Sequence, residues 1–177
     1  MKTFLIVLMT TFLISSETTM AEPGRLQPSR PRFDKKASIL DQWTGNWEST
    51  VILKPSLLTP KKKQYTQTKN VKWIVNGHFQ QTTNSDESRA ITHYDKDSKA
   101  YHLYNFNSSD GKFSFWKGKW NKNLETMTWV IQAGSYIEGQ LVDLFEDVNT
   151  IKTTMLLKDA SGTVLLDVEI RHERVTN

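Results

Sequence analysis

Apolar and polar residues alternate with a period of two over most of the chain, and no long helical pattern interrupts them. Successive side chains of a β-strand point to opposite faces of a sheet, so this period is typical of strands that bury one face. The first such segment places Trp47, Val51 and Leu53 on one face and Glu48 and Thr50 on the other. The pattern predicts an all-β protein.

Polar turns divide this pattern into about ten predicted strands. The strands span residues 46–53, 65–75, 78–83, 88–94, 100–106, 112–120, 124–132, 140–146, 151–158 and 163–174. Residues 54–63 contain two prolines and predict a loop, whereas residues 133–138 fit no single element. Asn76 and Gly77 predict a hairpin with a type I′ turn, because both accept a positive φ. Short strands with short connections predict an up-and-down antiparallel β-barrel of about ten strands.

A short helix is predicted immediately before the first strand. Asp34 can cap a helix over residues 35–43, on which Leu40 and Trp43 share one side. Gly45 then ends the helix. We expect this helix to plug one end of the barrel.

The N-terminal residues predict a Sec-type signal peptide. Lys2 supplies the positive start, residues 3–14 are almost wholly apolar, and Ala21 marks the cleavage site. The apolar run is too short to cross ~30 Å of hydrocarbon comfortably, so a membrane anchor is the less favoured alternative. The predicted organisation is a signal peptide at 1–21, a Pro- and Arg-rich linker at 22–34 and a barrel domain at 35–177. The protein is expected to be periplasmic or secreted, without an integral membrane span once the signal is removed.

Composition limits the interactions that can stabilise such a barrel and the kinds of partner that it can bind. The chain has no cysteine, so a secreted form depends on its core alone, for which six Trp, eight Phe and five Tyr supply the material. The net charge is +4, and Lys61, Lys62 and Lys63 are consecutive. We interpret this run as a solvated loop, with an anionic partner as the alternative. No nucleic-acid partner is expected, because an exported protein rarely meets one.

Gly45-Asn46-Trp47 after a short helix resembles the Gly-x-Trp opening of lipocalins and other calycins. The order and spacing of further segments resemble a bacterial family of secreted lipocalin-like domains of unknown function. These segments are Lys72-Trp73-Ile74-Val75-Asn76-Gly77-His78-Phe79, Tyr94-Asp95, Lys99-Ala100-Tyr101, Lys117-Gly118-Lys119-Trp120 and Lys158-Asp159-Ala160-Ser161-Gly162. The resemblance covers residues 35–175 and implies a closed barrel around a cavity, with no assigned activity. It also implies that Trp47 packs beneath an arginine of the last strand. The candidates are Arg171 and Arg174.

His172 is the histidine with the most distinctive position. In the last predicted strand it shares the more apolar face with Val168 and Ile170, so it is expected to point inward. The nitrobindins, a haem-binding barrel family similar in shape, use a histidine of a late strand as the axial ligand, which makes haem at His172 an alternative. The favoured interpretation is a histidine at the barrel rim or hydrogen-bonded in the core, with no cofactor and no metal site.

The sequence contains no catalytic motif that we recognise. Gly-x-Ser-x-Gly, His-Glu-x-x-His and a glycine-rich phosphate loop are all missing. Asp86 and Glu87 are adjacent, so in a strand they would point to opposite faces and not act as a pair. The sequence therefore favours a protein that is not an enzyme.

Aromatic and histidine side chains are the remaining candidates for ligand binding. His102 and Tyr104 share a face of the fifth strand and are expected to border the cavity, while Trp116 and Trp120 share a face of the sixth. The predicted ligand-binding residues are His102, Tyr104, Trp116, Trp120, Trp129 and His172. The predicted function is binding of a small apolar molecule in the cavity. The alternatives are a haem protein, an enzyme of unknown class, and a structural or interaction barrel without a ligand.

Overall fold

The strands close into an antiparallel barrel in the computed structural model, which describes residues 35–132 and 136–175. The strands are β1 Gly45–Leu53, β2 Lys63–Ile74, β3 Phe79–Asn84, β4 Arg89–Asp95, β5 Ala100–Phe106, β6 Phe113–Asn121, β7 Thr126–Ile131, β8 Ile137–Asp147, β9 Thr150–Asp159 and β10 Val164–Arg174. Each strand pairs with its neighbours in sequence, and β1 also pairs with β10 to close the ring. The predicted up-and-down antiparallel barrel of about ten strands is confirmed.

Side chains at alternate positions of the strands fill the barrel. In β1, Trp47, Ser49 and Val51 are buried, while Glu48 between them is exposed. Within the described residues, one cluster of buried side chains consists of Leu40, Trp47, Val71, Tyr101, Trp116, Met127, Trp129, Phe145 and Ile151. Each buried aromatic residue contributes roughly 4–6 kcal/mol of gross burial energy before entropy is subtracted. Aromatic burial thus supplies the cohesion that disulfides give to small cysteine-rich domains.

A 3-10 helix, Ala37–Trp43, closes the end of the barrel at which β1 begins. Leu40 is 1% exposed and belongs to the core, and Gln80 Nε2 donates to the Leu40 carbonyl at 2.6 Å. The helix is shorter than the predicted span of 35–43, and the predicted capping residue Asp34 lies outside the described residues.

Arg174 of β10 covers Trp47 and ties the helix to the barrel. Its guanidinium carbon is 4.1 Å from the centre of the Trp47 ring. Nη2 donates to the Gln42 carbonyl at 2.9 Å, and Nη1 donates to the Thr44 carbonyl. Gly45 has a φ of +130°, and a Cβ there would lie 2.6 Å from Nη1 of Arg174. The close approach of the arginine therefore requires the glycine of the Gly-x-Trp sequence.

Arg171, the other candidate for this contact, points outward. Its Nη1 is 3.0 Å from Glu146 Oε2 and its Nε is 3.0 Å from Glu173 Oε1. Of the two arginines that the resemblance offered, Arg174 is the one that lies over Trp47.

The turn between β2 and β3 differs from the predicted two-residue loop. Ile74 pairs with Phe79, so residues 75–78 form the connection. The φ angles of Asn76 and Gly77 are both positive as predicted, at 54° and 82°. The register of the two strands leaves one more residue on each side of this pair, so the turn is wider than type I′ geometry requires.

Three predicted segments lie wholly or partly outside the described residues. They are the signal peptide at 1–21, the linker at 22–34 and, within 133–138, residues 133–135. The first two therefore stay predictions. Within the described ranges, no helix has the length and apolar character needed to cross a membrane.

Gly118 leaves room for Trp129 inside the barrel wall. The two residues pair across β6 and β7, and a Cβ at Gly118 would lie 2.5 Å from Cε3 of the indole. We expect Gly118→Ala to lower the free energy of unfolding by about 1–3 kcal/mol, because a rigid ring must move. Chemical denaturation measures the change. The control is Lys119→Ala, an exposed position on the same strand, expected to stay within about 0.5 kcal/mol of the parent protein. Equal stability of the two variants would contradict the close packing.

Candidate functional site

An internal cavity of about 190 Å³ lies inside the barrel beside the helix. Leu103, Leu141 and Ile170 form part of its apolar wall. The polar and charged lining residues include Gln67, Lys69, Gln80, Thr92, Asp143, Thr153 and His172. Polar groups in such a place are costly unless they find partners, so their contacts decide what the cavity can accept.

Five side chains form a continuous hydrogen-bond chain along this wall. Ser49 Oγ is 2.6 Å from His172 Nδ1, and Thr153 Oγ1 is 3.1 Å from His172 Nε2. Thr153 Oγ1 also donates to Asp143 Oδ1 at 2.5 Å. Trp129 Nε1 donates to the other oxygen of the Asp143 carboxyl at 2.9 Å. The chain runs through five consecutive strands, from β1 through β10, β9 and β8 to β7.

From Ser49 through His172 and Thr153 to Asp143, each group of the hydrogen-bond chain donates to the next. The Thr153 hydroxyl donates to Asp143 Oδ1, so it accepts from Nε2–H of His172. This assigns the Nε2–H tautomer and leaves Nδ1 to accept from the Ser49 hydroxyl. Burial, and after it the charge of Lys69, holds the pKa of His172 far below its usual range. His172 is therefore a neutral connector between two hydroxyl groups.

The order of hydroxyl, imidazole and carboxyl has the composition of a nucleophile-activating triad. Ser49 is 0% exposed, however, so no substrate atom reaches its hydroxyl. Thr153 also stands between the imidazole and Asp143. The arrangement stabilises the barrel and shapes the cavity wall without presenting Ser49 to a substrate.

The haem alternative requires a free nitrogen on His172. Both ring nitrogens are hydrogen-bonded, to Ser49 and to Thr153, and the residue is only 5% exposed. The cavity is close in size to a ~150 Å³ cavity that holds benzene, which is far too small for a porphyrin. The geometry does not fit haem at this histidine. In the part of the chain that the structure describes, no three histidine or acidic side chains are grouped to hold a metal ion. The expectation that the protein carries no cofactor stays a prediction.

Lys69 of β2 lines the same cavity and is surrounded by protein except on its cavity side. Its Nζ is 5.8 Å from the centre of the Trp47 ring, and among the described residues it makes no hydrogen bond or ion pair. Burial lowers the pKa of Lys69 to about 8, although the charge of Asp143 opposes the shift. Burial raises the pKa of Asp143, against its hydrogen bonds from Thr153 and Trp129. The cavity thus holds an unpaired amine near a carboxyl group.

A wider opening adjoins the cavity on the side facing the end of the barrel opposite the helix. It measures about 440 Å³ and shares Asn84 and Asn105 with the wall of the inner cavity. We call it the mouth. The apolar part of its inner wall consists of Trp116, Ile131, Met155 and Leu157. A molecule longer than the inner cavity can therefore extend into an apolar region.

The residues predicted to bind a ligand fall in different places. Trp129 and His172 line the inner cavity and belong to the same hydrogen-bond chain, and Trp116 lines the mouth. Trp120 lies near the helix end, where its ring is 5.5 Å from that of Phe145 in a T-shaped contact. A ligand-binding role for each of them stays a prediction.

His102 and Tyr104 lie on the outer wall of the barrel. In β5 the alternate residues, such as Leu103, face the cavity. The His102 ring is 5.1 Å from the rings of His93 and Phe115, and Tyr104 stacks on Phe115 at 4.8 Å. The expectation that His102 and Tyr104 border the cavity is not met. Both faces of β5 carry large apolar or aromatic residues, so the period of two does not reveal which face is inside.

The prediction from sequence missed Lys69 and Asp143 as members of the site. A signal was present, because each shares a face with residues that are buried. Lys69 alternates with the buried Val71, and Asp143 alternates with the half-buried Leu141 and the buried Phe145. A charge at an inward position of a strand marks a group that needs a partner or a ligand.

Comparison with known proteins finds a structural similarity but no match in sequence. No protein-family model and no curated protein sequence matches the chain. Among solved structures, the chain is similar to the S-type phycobiliprotein lyase CPES from Guillardia theta, with 8% sequence identity and a TM-score of 0.47. The match covers 82% of this chain and 95% of that one. A similarity at this level says nothing about function, and the barrel topology rests on the strand pairing.

Proposed function

We propose that the protein binds a small molecule inside the barrel, with a polar group in the inner cavity and an apolar body toward the mouth. The observation that carries this proposal is the unpaired amine of Lys69 in an inner cavity that adjoins a mouth with an apolar inner wall. The proposed ligand is less purely apolar than the one that the sequence predicted.

The polar end of the ligand follows from the wall of the inner cavity. Lys69, Asp143 and His172 face a space of about 190 Å³ in which a wholly apolar molecule would leave the amine without a partner. By comparison with benzene in a ~150 Å³ cavity, the space accepts a group of roughly six to ten non-hydrogen atoms. A ligand with one polar group meets both requirements.

The apolar body follows from the mouth. Trp116 is 3% exposed, and Ile131 and Leu157 lie beside it in the wall of the opening. Covering apolar surface contributes about 25 cal/mol per Å², so even a small ring system placed there adds appreciable affinity. Inner cavity and mouth together favour an amphipathic ligand.

We further propose that the chain is exported and belongs to the bacterial family of secreted lipocalin-like domains that it resembles. The pattern of residues 1–21 supports export, and the Arg174 contact over Trp47 supports the resemblance. N-terminal sequencing of the protein recovered from periplasm or medium tests export. A mature chain that begins just after Ala21 is expected, and one that still begins at Met1 would contradict cleavage.

Filling the inner cavity is expected to weaken ligand binding at least about tenfold, or ~1.4 kcal/mol. Ala90 is 6% exposed and lines the cavity, so Ala90→Leu places a larger side chain in the space that the ligand needs. Isothermal titration calorimetry with 2-naphthoic acid and 2-naphthol measures binding. The two compounds share an apolar body and differ in the polar end.

Thr83→Leu is the matched control for this experiment. Thr83 lies on the outer face of β3, next to Thr82, which pairs with Ala90 and lines the cavity. We expect unchanged binding in Thr83→Leu. If neither compound binds the parent protein, or if the two leucine variants bind equally, the proposed site is wrong.

A further inference from the structure

We infer that Lys69 is a carbonyl-reactive residue, which forms a reversible imine with small aldehydes or ketones that enter the inner cavity. This inference rests on the proposed function, because the carbonyl compound must reach the cavity. It adds a chemical class of ligand and a covalent step to noncovalent binding.

The first support is the position of the amine. β2 pairs Lys69 with Trp47, and the lysine lines the cavity together with Asp143 and His172. The Trp47 ring, at 5.8 Å from Nζ, offers only a weak cation–π contact. Among the described residues no carboxylate or carbonyl oxygen accepts from Nζ. The amine is thus presented to the cavity instead of being held by a partner.

The second support is the state of the amine. Only a neutral amine attacks a carbonyl carbon, and a desolvated lysine is the kind that does so in enzymes. With a pKa lowered to about 8 by burial, roughly one Lys69 side chain in ten is neutral at pH 7. An ordinary lysine with a pKa near 10.4 is neutral about two hundredfold less often.

The third support is the nearby acid. The amine adds to the carbonyl carbon and forms a C–N bond, and the carbonyl oxygen becomes a hydroxyl group. That hydroxyl then takes up a proton and leaves as water, while the nitrogen loses a proton and forms the C=N bond. Asp143, whose pKa is raised by burial, is placed in the same cavity to donate and recover the proton. Amine and aldehyde give imine and one water, so no oxidant or reductant is consumed.

The cavity also sets the size of the carbonyl compound. A space of about 190 Å³ accepts a single aromatic ring, by comparison with benzene in a ~150 Å³ cavity. A three-ring aldehyde does not fit there. Size selection therefore separates Lys69 from lysines on the surface.

The test is reductive trapping on the full chain. The protein is incubated with benzaldehyde and sodium cyanoborohydride at pH 7, and peptide mapping by mass spectrometry locates the benzyl groups. We expect Lys69 to carry at least tenfold more label than any other lysine. The α-amino group is also partly neutral at pH 7, so its label confirms that the chemistry works in every sample.

Three controls define the result. Anthracene-9-carbaldehyde should label the α-amino group but not Lys69. Lys69→Met should lose the internal label, while Lys72→Met, at an exposed position of β2, should keep it. The map of the parent protein decides the question even if Lys69→Met does not fold.

Label spread over surface lysines, or label on the α-amino group alone, would contradict the inference that Lys69 forms an imine. If the naphthalene compounds still bind in that case, the proposed function stands without it. If those compounds also fail to bind, the proposed function and the proposed imine are both wrong.

Discussion

Replacing His172 with leucine is expected to lower the free energy of unfolding by about 2–5 kcal/mol. Leucine fills a similar volume but neither donates nor accepts, so Ser49 Oγ, in a residue that is 0% exposed, loses its acceptor. Thr153 loses its donor on the imidazole side and keeps its bond to Asp143. A buried polar group without a partner costs about 1–3 kcal/mol. Urea denaturation at pH 7 measures the loss.

His78→Leu is the matched control, because His78 is exposed at the turn after β2. We expect it to stay within about 0.5 kcal/mol of the parent protein. The double variant Ser49→Ala with His172→Leu should be more stable than His172→Leu alone, since no orphaned hydroxyl remains at position 49. Similar losses in His78→Leu and His172→Leu would contradict the central place of His172 in the chain of hydrogen bonds.

The same substitution changes how stability depends on pH. Burial first and Lys69 second hold the pKa of His172 far below its usual range. Below about pH 6.5 the unfolded chain therefore binds a proton here that the folded protein does not, which costs up to about 1.4 kcal/mol per pH unit. The leucine variant lacks this loss, while Asp143 and Lys69, the charged groups facing His172, are present in both proteins. The stability gap should narrow from pH 6.5 to about pH 5, and a constant gap would argue against a buried neutral imidazole.

Replacing Arg174 with alanine is expected to cost about 2–4 kcal/mol of unfolding free energy. The guanidinium donates to the carbonyls of Gln42, Thr44 and Val148, and it covers the Trp47 ring at 4.1 Å. These contacts join β10 to the helix and to the turn before β9. Alanine removes all of them at once and uncovers an indole that is 1% exposed in the parent protein.

Arg171→Ala is the comparison that isolates this effect. Arg171 lies three residues earlier in the same strand, but its side chain is 46% exposed and its partners Glu146 and Glu173 are on the outer surface. Exposed ion pairs contribute about 0–1 kcal/mol, so a small loss is expected. Thermal denaturation followed by tryptophan fluorescence reports both variants. A loss in Arg171→Ala that equals the loss in Arg174→Ala would show that the contact with Trp47 does not stabilise the closed end.

Much of the architecture followed from local pattern. The period of two located all ten strands, and short polar turns between them allowed only neighbour pairing. The pattern also placed His172 on the inner face, because Val168 and Ile170 mark that face in a strand whose other side is charged. These features depend on residues that are close in sequence, and a single strand carries enough information to predict them.

Residues distant in sequence form the site, and no local pattern predicts their meeting. Ser49 and His172 are 123 positions apart and touch only because β1 closes on β10 in the register that pairs them. The same closure selects Arg174 over Arg171 as the cover for Trp47.

The sequence by itself determined the strands, their order and the inward position of His172. Only the tertiary structure decided that Lys69 and Asp143 share a cavity with it and that His102 lies outside. The physical reason is that alternation separates the two faces of a strand without saying which one is inside when both are apolar. Barrel closure and register then decide which inward groups meet. Those neighbours set the pKa of a buried residue and the partners that it can bind.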